Sequence, residues 1–212
     1  MAALPYCILL SKSLVDVPPK GVRDGGIQRL TQGSLLALYS QIEKTEISAA
    51  NFQQTALEFH GVVHAVFRQA AVVPFRFPTW LSETELAAHL REQSARYEDF
   101  LTRHAQHVQM EIRIDLPTSE ASQPASSGTE HLRKRSAQSR ELHSDKEKVK
   151  ELLSAEVLDW RERELPNGLR IYALVERNRI ASFREKLSGH DPRLSHSGPW
   201  PGMEFLEQQT RS

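Results

Sequence analysis

The chain has 212 residues, of which 39% are hydrophobic, so it suits one large domain or two small ones and is too apolar for a disordered chain. Lysine plus arginine equals aspartate plus glutamate at 27 each, which excludes a general electrostatic attraction to nucleic acid or anionic membranes. The single cysteine, Cys7, excludes an internal disulfide, and its apolar neighbours predict a buried core residue. No apolar run approaches the roughly 20 residues that span a bilayer, so we expect a soluble, cytoplasmic protein.

The sequence opens with a region of short strands. Residues 6–10 form an apolar run of the length of a buried strand. The runs at 27–30 and 35–40 flank Thr-Gln-Gly at 31–33, a pattern typical of a β-hairpin. We therefore predict three strands before the first helix, two of them joined by a tight turn.

A helix and an edge strand are expected next. Apolar residues recur at steps of three and four from Phe52 to Ala70, and Ser48 is predicted to cap this helix by accepting an amide hydrogen bond. Residues 72–77 then return to strand character. Pro74 lacks an amide donor, so this strand is predicted at the edge of a sheet or interrupted there.

The following segment predicts a second helix and then a strand. Ser82 and Glu85 have the spacing of a capping box, in which each side chain accepts a hydrogen bond from the other's backbone amide. The buried face of the helix is predicted from Leu86, Leu90, Tyr97 and Leu101. Residues 108–115 alternate between apolar and polar side chains, as in a strand with one face on the core.

The second half of the chain is predicted to begin with a long, charged helix over residues 129–164. Its later part carries an apolar stripe at Val149, Leu153, Val157 and Trp160. Pro-Asn-Gly at 166–168 is expected to end this helix. Residues 169–175 then predict a strand, and residues 180–187 predict a short helix.

The composition of residues 117–128, which are small and polar, indicates a linker. We therefore expect an N-terminal domain over residues 1–116 and a C-terminal domain over residues 129–212. Both halves mix helices with hairpin-like strands, which favours the α+β class.

The candidate catalytic residues form no recognised constellation. His60 and His64 have the spacing of metal ligands on a helix, but no glutamate accompanies them as in the His-Glu-x-x-His motif, and no third ligand is evident. The chain has neither a Gly-x-Ser-x-Gly nucleophile turn nor a glycine-rich phosphate loop. We expect no enzyme activity, no metal and no cofactor, and a metal-dependent hydrolase at these histidines remains an alternative.

One basic cluster stands out at residues 131–135, His-Leu-Arg-Lys-Arg. Acidic residues surround it, and no aromatic residues are interleaved as in a surface that stacks bases. The cluster is interpreted as a solvated helix face with internal ion pairs, or as a docking face for an acidic partner.

Aromatic residues beside prolines are the candidates for partner binding. Such side chains pack in a core or form an exposed apolar surface for a hydrophobic partner. The candidate partner-binding residues are Phe75, Phe77, Trp80, Trp200 and Phe205.

Three blocks, in order along nearly the whole chain, resemble the GvpL/GvpF family of gas vesicle proteins. Residues 60–67 and 73–79 are similar to the family's histidine-bearing helix and the strand after it. Residues 6–10 and 33–40 resemble its opening strand and hairpin. Residues 197–205, Ser-Gly-Pro-Trp-Pro-Gly-Met-Glu-Phe, resemble its ending.

The resemblance implies a two-domain α+β protein with ferredoxin-like elements and no catalytic activity. It implies a minor component or assembly factor of gas vesicles, which binds the small shell protein and other accessory proteins of the vesicle. The expected location is the cytoplasm, at the gas vesicle, without nucleic acid, membrane or small-molecule partners.

The chain departs from the family pattern at several positions. Pro78 stands where the family usually has glycine, His131 replaces a tyrosine, and Gly-Met at 202–203 replaces Pro-Tyr. A cytoplasmic interaction module that no longer builds vesicles is therefore a further alternative, since it would need the same fold.

Overall fold

The computed structural model describes residues 2–116, 128–188 and 193–206. It divides the chain into two compact units after Gln106. Each unit holds a four-stranded antiparallel sheet with helices, so the fold is of the α+β type that the sequence predicts. The predicted linker at 117–128 lies, except for its last residue, outside the described residues.

The sheet of the first unit is built around its first strand. In spatial order it is β2-β3-β1-β4, and all neighbouring strands are antiparallel. The strands are β1 (Ala2–Leu10), β2 (Ile27–Gln32), β3 (Leu35–Ile42) and β4 (Val73–Pro74). The predicted hairpin is confirmed, with Gly33 at a φ of +60° in its turn. Pro74 lies at the sheet edge as expected, because an edge strand tolerates the missing donor.

Three helices complete the first unit and all contact β1. They are α1 (Phe52–Phe67), α2 (Glu83–Glu92) and α3 (Ser94–Arg103). The capping box at Ser82 and Glu85 is confirmed. Ser48 as the cap of α1 is wrong: the N-cap is Asn51, whose side chain accepts the amide of Ser48 at 2.9 Å. The second predicted helix is broken at Gln93, where the backbone leaves helical geometry.

The second unit has the strand and helix order of a ferredoxin-like fold. Its sheet runs β6-β7-β5-β8 and is antiparallel throughout. The strands are β5 (His107–Asp115), β6 (Val157–Leu165), β7 (Gly168–Glu176) and β8 (Leu194–Trp200). The helices are α4 (Gly128–Leu152), α5 (Ile180–Leu187) and α6 (Met203–Leu206). The chain order βαββαβ with its first strand inside the sheet defines this fold, as the family resemblance implied.

The long helix predicted over residues 129–164 is wrong beyond Leu152, where α4 ends. Val157 and Trp160 lie on β6, an edge strand that pairs with β7. Their spacing of three imitates a helical stripe, and the charged residues that follow in the strand hide its alternation. The Pro-Asn-Gly sequence at 166–168 therefore lies at the turn of a β-hairpin, not at the end of a helix.

The division between the units also differs from the expected boundary after residue 116. The expected boundary puts β5 in the first domain, but the strand pairs with β7 on one side and β8 on the other. The alternation of its apolar residues is confirmed, since Val108, Met110, Ile112 and Ile114 are all buried. Strand pairing with later segments, which alternation does not reveal, assigns β5 to the second unit.

Both sheets share one strand order, although the sequence shows no repeat. In the second unit α4 connects the first two strands, whereas the first unit uses a loop with a short 3-10 helix, Val22–Asp24. The buried hydroxyl of Tyr6 anchors this loop, accepting the amide of Val22 at 2.8 Å and donating to Ser40 Oγ at 2.9 Å. Among the described residues no helix is long and apolar enough to cross a membrane.

Two glycine-to-alanine substitutions should change stability in opposite directions. Gly168 has a φ of +155°, and an added Cβ would lie 2.1 Å from the carbonyl oxygen of Ile114. We expect Gly168→Ala to lower the free energy of unfolding by about 3 kcal/mol or more. Gly61 lies in α1 with open space around an added Cβ, so Gly61→Ala should raise it by about 0.5–1 kcal/mol. Urea unfolding measures both, and a neutral Gly168→Ala would contradict the strand geometry.

Candidate partner-binding surfaces

The first surface is an aromatic cluster on the α1 side of the first sheet. Phe77 packs between Phe52 and Phe59, with ring centroids 5.3 and 5.1 Å away. Phe59 is buried in the core, whereas Phe52 at the start of α1 is 45% exposed. Pro78 next to Phe77 is also exposed. The predicted residue Phe77 thus links the core to an exposed aromatic ring.

Trp80 lies three residues beyond Phe77 and is half-buried. The ammonium of Lys44 lies 6.0 Å from the centroid of its ring, at the outer limit of a cation–π contact. The structure therefore gives Trp80 a partly exposed position beside a cation.

Phe75 faces a separate cavity of about 270 Å³ at the β4 edge of the same sheet. Its ring centroid is 5.6 Å from that of His89 on α2, which in turn lies 5.7 Å from the ring of Tyr97 on α3. A hydrogen bond of 3.1 Å joins His89 Nε2 to the hydroxyl of Tyr97. Burial lowers the pKa of His89 and favours the neutral imidazole.

Trp200 is the most exposed of the predicted residues, at 46%. It ends β8, an edge strand of the second sheet, and its indole donates to Ser197 Oγ at 3.2 Å. An exposed indole held by a hydrogen bond can present its ring to a partner at low entropic cost.

Phe205 lies in the core of the second unit and is only 5% exposed. It forms a buried cluster with Tyr172 and Leu174 of β7. The guanidinium of Arg161 lies 5.2 Å from its ring centroid. In this structure Phe205 therefore anchors α6 on the sheet, and the side chain is not accessible.

The residues considered for catalysis are far from a constellation. His60 and His64 both lie on the exposed side of α1. Among the described residues, no three His, Cys, Asp or Glu side chains are grouped so that they could hold a metal. Cys7 is fully buried as predicted, and burial raises the pKa of its thiol to about 12.

Several charges of α4 are paired within the second unit. Arg193 contacts Glu141 at 2.6 Å and Asp145 at 3.0 Å. Glu162 on β6 pairs with Lys146 and Lys150 of the helix. These pairs join α4 to β6 and to the residue before β8. The side chains of the basic cluster at 131–135 lie outside the described part of the structure.

Two features of the structure, one at the Phe75 cavity and one elsewhere on the exposed surface, have no signal in the sequence. His89 was not singled out, because its contact with Tyr97 crosses a helix break that no proline or glycine marks. Leu57 on α1 and Leu158 on β6 are exposed by 61% and 54%, although each falls within an otherwise amphipathic segment. Single exposed apolar residues of this kind have no distinct sequence signal.

Two solved structures share this fold over almost their whole length. Gas vesicle protein GvpF from Anabaena sp. PCC7120 superposes with a TM-score of 0.74 at 15% sequence identity, covering 98% of this chain and 96% of that one. GvpF from Microcystis aeruginosa superposes with a TM-score of 0.75 at 11% identity, covering 97% and 99%. A fold of two units, each with a four-stranded antiparallel sheet and helices, is thus shared with known gas vesicle proteins. No curated protein sequence shows significant similarity to this chain.

The family is shown by the sequence itself. The family model for the gas vesicle synthesis protein GvpL/GvpF matches residues 4–207, which include both units. The chain therefore belongs to the GvpL/GvpF family and is a gas vesicle-related protein.

Alanine substitutions at Phe205 and Trp200 should separate a core role from a surface role. We expect Phe205→Ala to lower the free energy of unfolding by about 3–5 kcal/mol, because it opens a cavity beneath α6. Trp200→Ala should change it by less than about 1 kcal/mol, since the ring is half exposed. Urea unfolding of both variants tests this. Equal losses of unfolding free energy would contradict the assignment of Phe205 to the core and of Trp200 to the surface.

The partly buried position of His89 predicts a pH-dependent stability. With its pKa lowered in the folded state, the unfolded chain binds a proton first as pH falls below about 6.5. The contribution of neutral His89 to the free energy of unfolding is therefore fully present above that pH. It is lost as pH falls through the lower pKa of His89 in the folded state. In urea unfolding at pH 7.5 and 5, His89→Gln should lose less stability on acidification than the wild type. His64→Gln retains His89 and should show the wild-type fall.

Proposed function

We propose that this chain is a non-enzymatic accessory protein of gas vesicle assembly, which binds the hydrophobic shell protein and other vesicle proteins in the cytoplasm. The proposal starts from the match of the GvpL/GvpF family model across both units. The observation that carries it is the exposure of large aromatic side chains on ordered elements. Trp200 and Phe52 are 46% and 45% exposed, and both are held by neighbouring side chains.

Exposed aromatic rings of this kind can supply much of the affinity for an apolar partner. Covering the exposed part of a tryptophan removes on the order of 100 Å² from water, which contributes about 2.5 kcal/mol. Phe52 and Phe77 would add a second contact of similar size on the first unit. Two such contacts would shield apolar surface of a shell subunit before it assembles.

Other accessory proteins are proposed to contact the outward face of α4. Glu141, Asp145, Lys146 and Lys150 are already paired within the unit. The outward face carries the more exposed charges of Glu147, Lys148 and Glu151, of which Glu147 and Lys148 pair along the helix with Lys146 and Asp145. A charged, solvated helix face favours orientation and rapid encounter more than tight binding.

Co-expression with the gas vesicle shell protein of the same host tests the proposal. We expect the tagged chain to retain the shell protein through a high-salt wash, because salt screens charge contacts and leaves apolar ones. Trp200→Ala and Phe52→Ala should each reduce the retained shell protein at least about fivefold. Leu158→Ala removes another exposed apolar side chain and should leave retention unchanged.

The outcomes separate the proposed roles. Normal retention by Trp200→Ala, with the fold intact by circular dichroism, would remove Trp200 from the interface. If the folded wild-type chain does not retain the shell protein, the proposal is contradicted. That result would favour an interaction module that no longer serves vesicles. A metal-dependent hydrolase at His60 and His64 would instead show stoichiometric zinc that His60→Ala removes.

A further inference from the structure

The cavity beside Phe75 has a rigid frame. The chain from Val73 to Leu81 is tied to β1 at both ends, by pairing of Val73 with Ile8 and by two backbone hydrogen bonds between Leu81 and Ala3. Between these ties the segment leaves the sheet and forms an arch, with α2 and α3 supplying the opposite wall. The cavity is lined chiefly by Ile8, Val73, Pro74, Phe75, Leu81 and Tyr97. Because both ends are fixed, the cavity exists before any partner binds.

The volume limits what can enter. About 270 Å³ is below the usual range of pockets that enclose a whole small molecule, roughly 300–1,000 Å³. It is enough for one large aliphatic side chain with its first backbone atoms. The walls are mostly hydrocarbon, so an aliphatic group is the chemistry that fits them.

The adjacent sheet edge does not favour addition of a partner strand. Phe75 donates its amide to Tyr6 at 2.9 Å, so the neighbouring Pro74 turns its nitrogen away from the sheet. An added strand would need a donor at that position, and proline has none. A partner at this edge is therefore held by side-chain insertion.

The rim of the cavity adds a charge preference. Arg76 is exposed and is the charged residue of the lining at neutral pH, since burial favours the neutral form of His89. None of the described residues that line the cavity carries a carboxylate. A carboxylate next to the inserted side chain would meet a cationic rim.

We propose that this cavity is an anchor site for a partner protein, receiving one aliphatic side chain whose neighbouring residue places a carboxylate against Arg76. The inference deepens the proposed function and rests on it for the identity of the partner, a vesicle protein. Phe75 and Phe77 then have separate tasks. The Phe77 ring lies against Phe59 of α1, whereas the Phe75 ring lies against His89 of α2, so the arch presents two separate contact points.

The site is tested first with N-acetyl-leucine, which combines an aliphatic side chain with a carboxylate. Methyl resonances of Ile8, Val73 and Leu81 should shift and saturate, with a dissociation constant on the order of millimolar. N-acetyl-leucinamide lacks the carboxylate and should bind about twofold to fivefold more weakly, as for an exposed ion pair. Absence of a saturable shift, or equal affinity for the amide, would overturn the proposal.

Three variants sharpen the test. Val73→Phe fills the cavity from its floor and should abolish binding of the probe. Arg76→Glu changes only an exposed residue, which protects the test against misfolding, and should weaken binding at least about twofold. Arg29→Glu makes the same change on β2 at the opposite edge of the sheet and should bind normally. Undiminished binding by folded Val73→Phe would overturn the assignment.

Co-purification of the shell protein with the same variants separates the two proposals. Loss of the shell protein with Val73→Phe and Arg76→Glu, and retention with Arg29→Glu, would support the cavity as the shell contact. If all three variants retain the shell protein, the cavity is not the contact for the shell protein, and the proposed function is unaffected. If the wild type also fails to retain the shell protein, the proposed function fails, and the probe titration alone then decides for or against the cavity.

Discussion

Hydrogen bonding of the first strand of each unit along both of its edges is the constraint on which the architecture depends. Strand β1 pairs with β3 and β4, and β5 pairs with β7 and β8. Each unit can close only after its fourth strand, because that strand covers the remaining edge of the first. The chain must therefore return across the sheet twice, and this requirement places a helix or an anchored loop over each sheet. It also makes β5 inseparable from the second unit.

The two units satisfy this constraint with different coverings, and the difference determines where surface is available. In the first unit α1, α2 and α3 all contact β1, whose residues from Ala3 onward are buried. Its fourth strand needs to be only two residues long, so the chain leaves the sheet after Pro74 and forms the arch that frames the cavity. In the second unit β8 is longer and ends at Trp200. The short α6 after it reaches the sheet through Phe205. The predicted aromatic residues thus have unequal accessibility for a structural reason.

The sequence predicts the structure correctly wherever short-range chemistry and the tertiary environment favour the same conformation. The hairpin at Gly33, the capping box at Ser82 and the edge position of Pro74 each follow from short-range chemistry. Prediction fails at edge strands of the second sheet. Strand β6 is mostly charged, and its few apolar residues at Val157 and Trp160 imitate a helical step. Strand β8 is not predicted by any alternation in the sequence, because an edge strand with one partner needs little apolar alternation.

For the candidate surfaces, the sequence could locate the aromatic residues but not their orientation. Phe75 and Phe77 are only two residues apart, yet the ring of Phe77 lies against Phe59 of α1 and the ring of Phe75 lies against His89 of α2. The wall that completes the Phe75 cavity comes from His89 and Tyr97, which join it only through the break between α2 and α3. A composition-based patch therefore resolves into two separate contact points. An apolar partner that engages both must reach around the sheet edge at Pro74, where strand addition is blocked, so recognition there depends on side chains.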